Sequence, residues 1–192
     1  MRKSKTFFAA LALALVLLGA GLAYGLLLSE RHDIYAPTAP AASAEAEESA
    51  GAGYAAAPDF PTLNADGETV RLSDFQGTPV VLNFWATWCP PCRGELPHFD
   101  DAYADYGDRV AFLITDLTDG QQETVEGVRA FMAENGYSFP VYYDAQAEGA
   151  YAYAVNAVPA TYFIGADGTI KSYQIGALSR EALYGALESL LE

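Results

Sequence analysis

The sequence predicts an α/β domain in which a central mixed β-sheet is flanked by helices, and three observations lead there. Val80-Val81-Leu82-Asn83-Phe84-Trp85 is an almost unbroken apolar run, as expected of a strand buried on both faces. Strand-like runs of this kind alternate with segments whose apolar residues recur at helical spacing. The chain then closes with an antiparallel hairpin signal around Asp167-Gly168, followed by one more amphipathic segment.

Taken from the N-terminus, the chain divides into three parts. Residues 7–28 are apolar or small throughout and would span roughly 33 Å as a helix, about the thickness of a hydrocarbon core. Arg2, Lys3 and Lys5 precede this stretch and only Arg31 follows closely, so the positive-inside rule places the N-terminus in the cytoplasm. Residues 1–28 are therefore expected to be a retained single-pass anchor of the cell membrane, with the remainder extracytoplasmic. The alternative is a cleaved signal peptide with its site near Gly21-Leu22-Ala23, but the apolar core is long for one. Residues 29–57 are dominated by Ala, Pro, Ser, Gly and Glu, too poor in large apolar groups to offset ordering entropy, and read as a flexible linker. Residues 58–192 form the expected globular domain.

Within that domain, an N-terminal β-hairpin is expected about Asp66-Gly67. After the strand at 80–85 a helix should start at the cysteine pair and run to about residue 106. Residues 110–114 read as a second buried strand. Val125, Val128, Phe131 and Met132 repeat at helical spacing until Asn135-Gly136 ends that helix. A strand at 139–143, a short helix near 149–154 and the closing hairpin follow. Ser179 caps a last helix with Leu183, Ala186, Leu187, Leu190 and Leu191 on one face.

Composition removes several functions. The formal net charge is −15, with the N-terminal cations set apart from an acidic body. Such a body is repelled by phosphate backbones, so no nucleic acid is expected as partner. The chain holds only 2 cysteines and 2 histidines, His32 and His98, neither at a ligand spacing from the cysteine pair. No metal and no cofactor are expected.

The chemistry is concentrated in Trp88-Cys89-Pro90-Pro91-Cys92. A disulfide between residues three apart closes too short a loop to remove much unfolded-state entropy, so reactivity is the better reason for the pair. Cys89 falls at a helix N-cap, and Pro90 and Pro91 occupy positions whose N–H groups would be unpaired in any case. The next free donor, the Cys92 N–H, is aimed back at the Cys89 sulfur. Free N–H groups, the helix dipole and Arg93 favour the thiolate, while Glu95, Asp100 and Asp101 oppose an extreme shift; Cys89 is expected to titrate below a free thiol. Cys89, at an exposed helix tip, attacks a disulfide and the more buried Cys92 resolves the mixed disulfide. Val158-Pro159-Ala160-Thr161 enters a strand, and a cis Val158–Pro159 bond would present the Val158 backbone to an extended peptide beside Cys89.

These residues resemble the thioredoxin superfamily, and within it the membrane-anchored, extracytoplasmic TlpA-like thiol–disulfide oxidoreductases. The resemblance covers residues 58–192 and rests on the Asp66-Gly67 hairpin, Leu72-Ser73-Asp74-Phe75, the run from Val81 to Cys92, Glu95-Leu96-Pro97, Val158-Pro159-Ala160-Thr161 and Asp167-Gly168. It implies a thioredoxin-like fold with an added N-terminal hairpin and an inserted helix–strand unit at about 121–143, and a cis Pro159 facing the cysteines. It also implies catalysis by Cys89 and Cys92, with Trp88, Val158 and Pro159 contacting substrate. The usual task of such proteins is to reduce disulfides of exported proteins, often the haem-attachment cysteines of apocytochrome c. Their electrons come from a membrane thiol–disulfide electron transporter.

Two departures stand out. Asn83 occupies a position where cytoplasmic thioredoxins carry a buried Asp, so another group must take the Cys92 proton, and Glu95 is the nominee. Some haem-pathway members have an acid between the cysteines, where this chain has only prolines. A thiol peroxidase is a rival, since related folds share the hairpin, but peroxiredoxins resemble one another in a Thr three residues before the attacking Cys and here that residue is Ala86. A second rival is a redox-inactive peptide-binding or chaperone module using Trp88 and Val158 as a docking surface.

Overall fold

The computed structural model describes residues 55–192, so the expected anchor and most of the linker lie outside the described residues. A seven-stranded mixed sheet runs in the order β2-β1-β5-β4-β3-β6-β7. Its strands are β1 (Pro61–Leu63), β2 (Thr69–Arg71), β3 (Val80–Trp85), β4 (Ala111–Asp116), β5 (Val141–Tyr143), β6 (Ala160–Ile164) and β7 (Ile170–Ile175). The helices are α1 (Pro90–Tyr106), α2 (Val125–Asn135), α3 (Glu148–Ala152) and α4 (Arg180–Leu190). β3, β4 and β5 are parallel; β6 and β7 continue the sheet antiparallel on one side, and the β1–β2 hairpin on the other.

β3 organises the core because all six of its residues are buried. Side chains alternate across a strand. Val81 and Trp85 therefore face Leu96 and Phe99 of α1 and Leu183 and Leu187 of α4, whereas Leu82 and Phe84 face Phe60, Leu113 and Tyr153. Asn83 shares the α1 face, which places an amide, with Glu95 and Thr161 as its partners, within a largely apolar layer.

Local chemistry sets most element ends. Thr124 caps α2 by accepting from the Gly127 N–H, and Ser179 caps α4 by accepting from the Ala182 N–H. Gly136 ends α2 at a φ of 70°, a conformation that favours glycine. Three ends differ from the sequence expectation. β4 continues to Asp116 through its parallel register with β3. β5 begins only at Val141, because Pro140 has no N–H to donate to a ladder. The Ala57 N–H donates to Gly168 and the Ile170 N–H to Ala55, so the sheet captures the last residues assigned to the linker.

Two glycine substitutions test this packing. A Cβ at Gly149 would lie 2.5 Å from the Phe60 ring, whereas one at Gly94 meets nothing within 4 Å. Chemical denaturation of Gly149→Ala should show a loss of about 1–3 kcal/mol from overpacking. Gly94→Ala, on the open face of α1, should gain roughly 0.5–1 kcal/mol from helix propensity.

Candidate active site

Both cysteines sit where β3 hands over to α1. Cys89 is the N-cap residue with extended backbone, Pro90 and Pro91 fill the first helical positions, and the Cys92 N–H donates to the Cys89 sulfur at 3.2 Å. The two sulfurs form a disulfide with their Cα atoms 5.3 Å apart. The helix start therefore aims its first free N–H at the sulfur that would carry negative charge after reduction, the condition for a stabilised thiolate.

Cys92 is fully buried, as expected, but Cys89 is only 3% exposed rather than standing open at the helix tip. The cover comes from the chain entering β6. The Val158–Pro159 bond is cis, and the Val158 carbonyl oxygen lies 3.7 Å from the Cys89 sulfur. Trp88 is the exposed large side chain beside the pair, half open to solvent. The structure thus brings Cys89, Cys92 and the Val158–Pro159 backbone together, with an aromatic ring at the rim. An extended peptide could meet both the sulfur and the flanking backbone there. The Arg93 guanidinium turns toward α2, 5.7 Å from the Phe131 ring centroid.

Glu95 lies one turn beyond Cys92 on the same face of α1 and is 1% exposed. Its Oε1 accepts from Asn83 Nδ2 at 2.9 Å and its Oε2 from the Leu178 N–H at 2.7 Å. Burial outweighs these two hydrogen bonds and pushes its carboxyl from 4.5 up to about 7. Asn83 also donates to Thr161 Oγ1 at 2.9 Å, which leaves its own Oδ1 without a partner. The amide therefore spends both protons as donors, while Glu95 alone in this cluster can take up a proton near neutral pH.

A further carboxylate had no signal in the sequence. Thr87, two residues before Cys89, donates its N–H to Glu123 Oε1 at 2.7 Å and its hydroxyl to Glu123 Oε2 at 2.8 Å. Glu123 is buried in the loop between β4 and α2, inside the inserted unit. No spacing rule connects it to the cysteines. Among the described residues no group of three or more His, Cys, Asp or Glu is arranged to hold a metal ion.

Glu95 makes the stability of the oxidised protein depend on pH. Its folded value exceeds its unfolded one, so its contribution is fully present below pH 4.5 and is lost as pH rises to about 7. The loss for this one proton is roughly 3 kcal/mol. Denaturation between these pH values, with the disulfide intact so that no thiol titrates, should show a stability slope that Glu95→Gln reduces by one proton. An unchanged slope would remove the buried acid from the account.

The comparisons agree with this geometry. The profile of the AhpC/TSA family matches residues 54–173. A thiol-disulfide oxidoreductase ResA of Oceanobacillus iheyensis is 38% identical over 139 residues, covering 70% of this chain and 71% of the relative. That of Geobacillus thermodenitrificans is 33% identical and covers 75% of this chain and 81% of the relative. Among solved structures, StoA from Bacillus subtilis matches with a TM-score of 0.60 and 27% identity over 68% of this chain and 96% of its own. An exposed lipoprotein thioredoxin from Streptococcus pneumoniae matches with a TM-score of 0.61 and 30% identity, over 69% of this chain and 100% of its own. With a thioredoxin-like fold around a paired Cys89 and Cys92, the chain belongs to the AhpC/TSA family and is a thiol–disulfide oxidoreductase.

Proposed function

We propose that this oxidoreductase works outside the cytoplasm as a membrane-tethered reductant of disulfides in exported proteins. The observation that carries the chemistry is the Cys92 N–H aimed at the Cys89 sulfur, next to the Val158 carbonyl at the cis-proline turn. The placement is supported by the cations and apolar run at residues 1–28 and by the acidic, Ala- and Pro-rich tether after them.

The cycle begins with both cysteines reduced. The Cys89 thiolate attacks one sulfur of a substrate disulfide, and the other leaves as a thiolate that takes a proton from solvent. The substrate strand lies along Val158 and Pro159, with Trp88 at its side. Glu95 accepts the Cys92 proton, and the new thiolate attacks Cys89 Sγ. The bond to substrate breaks, the second substrate thiol departs, and the Cys89–Cys92 disulfide remains. Two electrons have moved to the substrate. A membrane thiol–disulfide electron transporter would return them, as the family resemblance implies. Cysteine pairs of apocytochrome c are the first substrate to try, which would place the protein in cytochrome c-type biogenesis.

The peroxidase alternative is disfavoured by a specific contact. Ala86 stands at the position of the peroxidatic threonine, and the neighbouring Thr87 hydroxyl is committed to Glu123, away from Cys89. Peroxide consumption by the reduced protein should therefore not exceed that of a free dithiol.

Trapping is the direct test. Cys92→Ser, expressed in cells, should accumulate mixed disulfides with exported proteins, and Cys89→Ser should accumulate none. If Cys89→Ser instead supports full function, the redox-inactive docking alternative holds. The reduction potential should lie near about −270 mV, as in reducing members of the fold, and not near the roughly −120 mV of strong oxidants. A value at the oxidising end would reverse the proposed direction of electron flow.

A further inference from the structure

The inserted unit reaches the segment before Cys89 through a buried carboxylate. Glu123 is 2% exposed, and both of its oxygens accept from Thr87, an arrangement that suits the ionised form. The loop that carries it is folded for the purpose. Asp119 Oδ1 accepts from the N–H groups of Gln121 and Glu123, and the N–H groups of Asp119 and Gly120 donate back to the Glu123 carbonyl.

Beside Glu123 stands Asp116, the last residue of β4 and fully buried. Its Oδ1 accepts from Thr118 Oγ1 at 2.7 Å, and its Oδ2 has no donor. Glu123 is among the neighbouring anions that, with burial, hold its carboxyl above the usual range. A fully buried carboxyl group with one oxygen lacking any donor and an anion nearby is stable only if it holds a proton. Both oxygens of Glu123 already accept from Thr87, so the proton belongs on Asp116, whose Oδ2 has no donor.

We propose that Glu123 is a positioning residue for Cys89, fixing the Thr87-Trp88 segment from the inserted unit, and that a proton shared with Asp116 keeps this clamp intact. The proposal rests on the oxidoreductase activity of Cys89 but not on the direction of electron flow. Thr87 and Trp88 join β3 to the N-cap, so a shift in Thr87 moves the sulfur relative to both the Cys92 N–H and the Val158 carbonyl. Loss of the shared proton to solvent would leave two anions in one buried site and loosen the clamp.

The surrounding charges give the sense of the pH dependence. Burial and the anions Glu123 and Asp119 hold the Asp116 carboxyl well above the usual carboxylate range, against the Thr118 hydrogen bond. Asp144 on the adjacent β5 turns its carboxylate to the N–H groups of Gly149 and Ala150. Arg93 of α1 lies over Phe131. Because the folded value is raised, the Asp116 contribution to stability is present in acid and is lost as pH rises through the folded value.

Two measurements on the full-length protein in detergent test this. With the disulfide intact, wild-type stability should continue to fall above about pH 7.5, where Glu95 has largely titrated, and Asp116→Asn should abolish that part of the slope. In the reduced protein, exchange with oxidised glutathione should slow about tenfold in Glu123→Ala and in Thr87→Val, with the Cys89 thiolate titration moved toward that of a free thiol. Glu123→Gln keeps an acceptor for the Thr87 N–H and should recover most of the rate. Thr87→Val removes only a hydroxyl, so it carries the test if Glu123→Ala does not fold. A slope that persists in Asp116→Asn, or a wild-type rate and titration in Thr87→Val, overturns the proposal. Absence of exchange in the wild type would instead sink the oxidoreductase assignment, so the two failures are distinct.

Discussion

The site depends on one electrostatic constraint: the start of α1 is pinned so that its first unpaired N–H meets the Cys89 sulfur at 3.2 Å. Each neighbouring choice serves that contact. β3 is buried on both faces and fixes where the helix begins. Pro90 and Pro91 remove two donors that would otherwise compete for the sulfur or for solvent, and they preset helical φ. Leu96 and Phe99 then bury the face of α1 against the sheet, each such side chain contributing roughly 1.5–3 kcal/mol. The reactive atom is thus held by packing rather than by its own bonds.

This explains which parts of the molecule could be read from the sequence. β3, β7, α1, α2 and α4 announce themselves through local chemistry: an apolar run, a cap, a proline at the first helical positions, a glycine at the last turn. The cysteine pair carries its own context within a few residues. Cys89 could not be judged in the same way. Its cover is the carbonyl of Val158, 69 residues further on, so a reading of the helix tip alone leaves it exposed. Glu123 and Asp116 were invisible for a related reason. Each is an ordinary acid in its own segment and becomes unusual only when the insertion folds back on Thr87.

The Asn83 departure follows from the same geometry. An Asp at that position would face the Glu95 carboxylate at the distance where Asn83 Nδ2 now donates, 2.9 Å. Two carboxyl groups there would have to share a proton. The amide avoids this by supplying donors to both Glu95 and Thr161. The buried carboxyl group of this cluster therefore sits on the helix, at Glu95, one turn beyond Cys92. Glu95→Asp would lose one of these bonds, because the shorter arm could not reach both Asn83 and the Leu178 N–H.

Burial raises two carboxyl groups above the usual range, Glu95 on α1 and Asp116 at the end of β4. The formal net charge of −15 counts both as ionised, so while they hold their protons the chain carries fewer anions than that figure. Self-repulsion in such a chain grows with every added anion, so retaining these protons lowers the electrostatic cost of the compact state. The two differ in where the charge would go. Glu95 faces an amide and a backbone N–H that can stabilise an anion, so it can lose and regain a proton near neutral pH. Asp116 has one buried oxygen with no donor to stabilise an anion, so its proton is held in place. In the proposed cycle one buried acid exchanges a proton with Cys92, and the other keeps Thr87, and through it Cys89, in place.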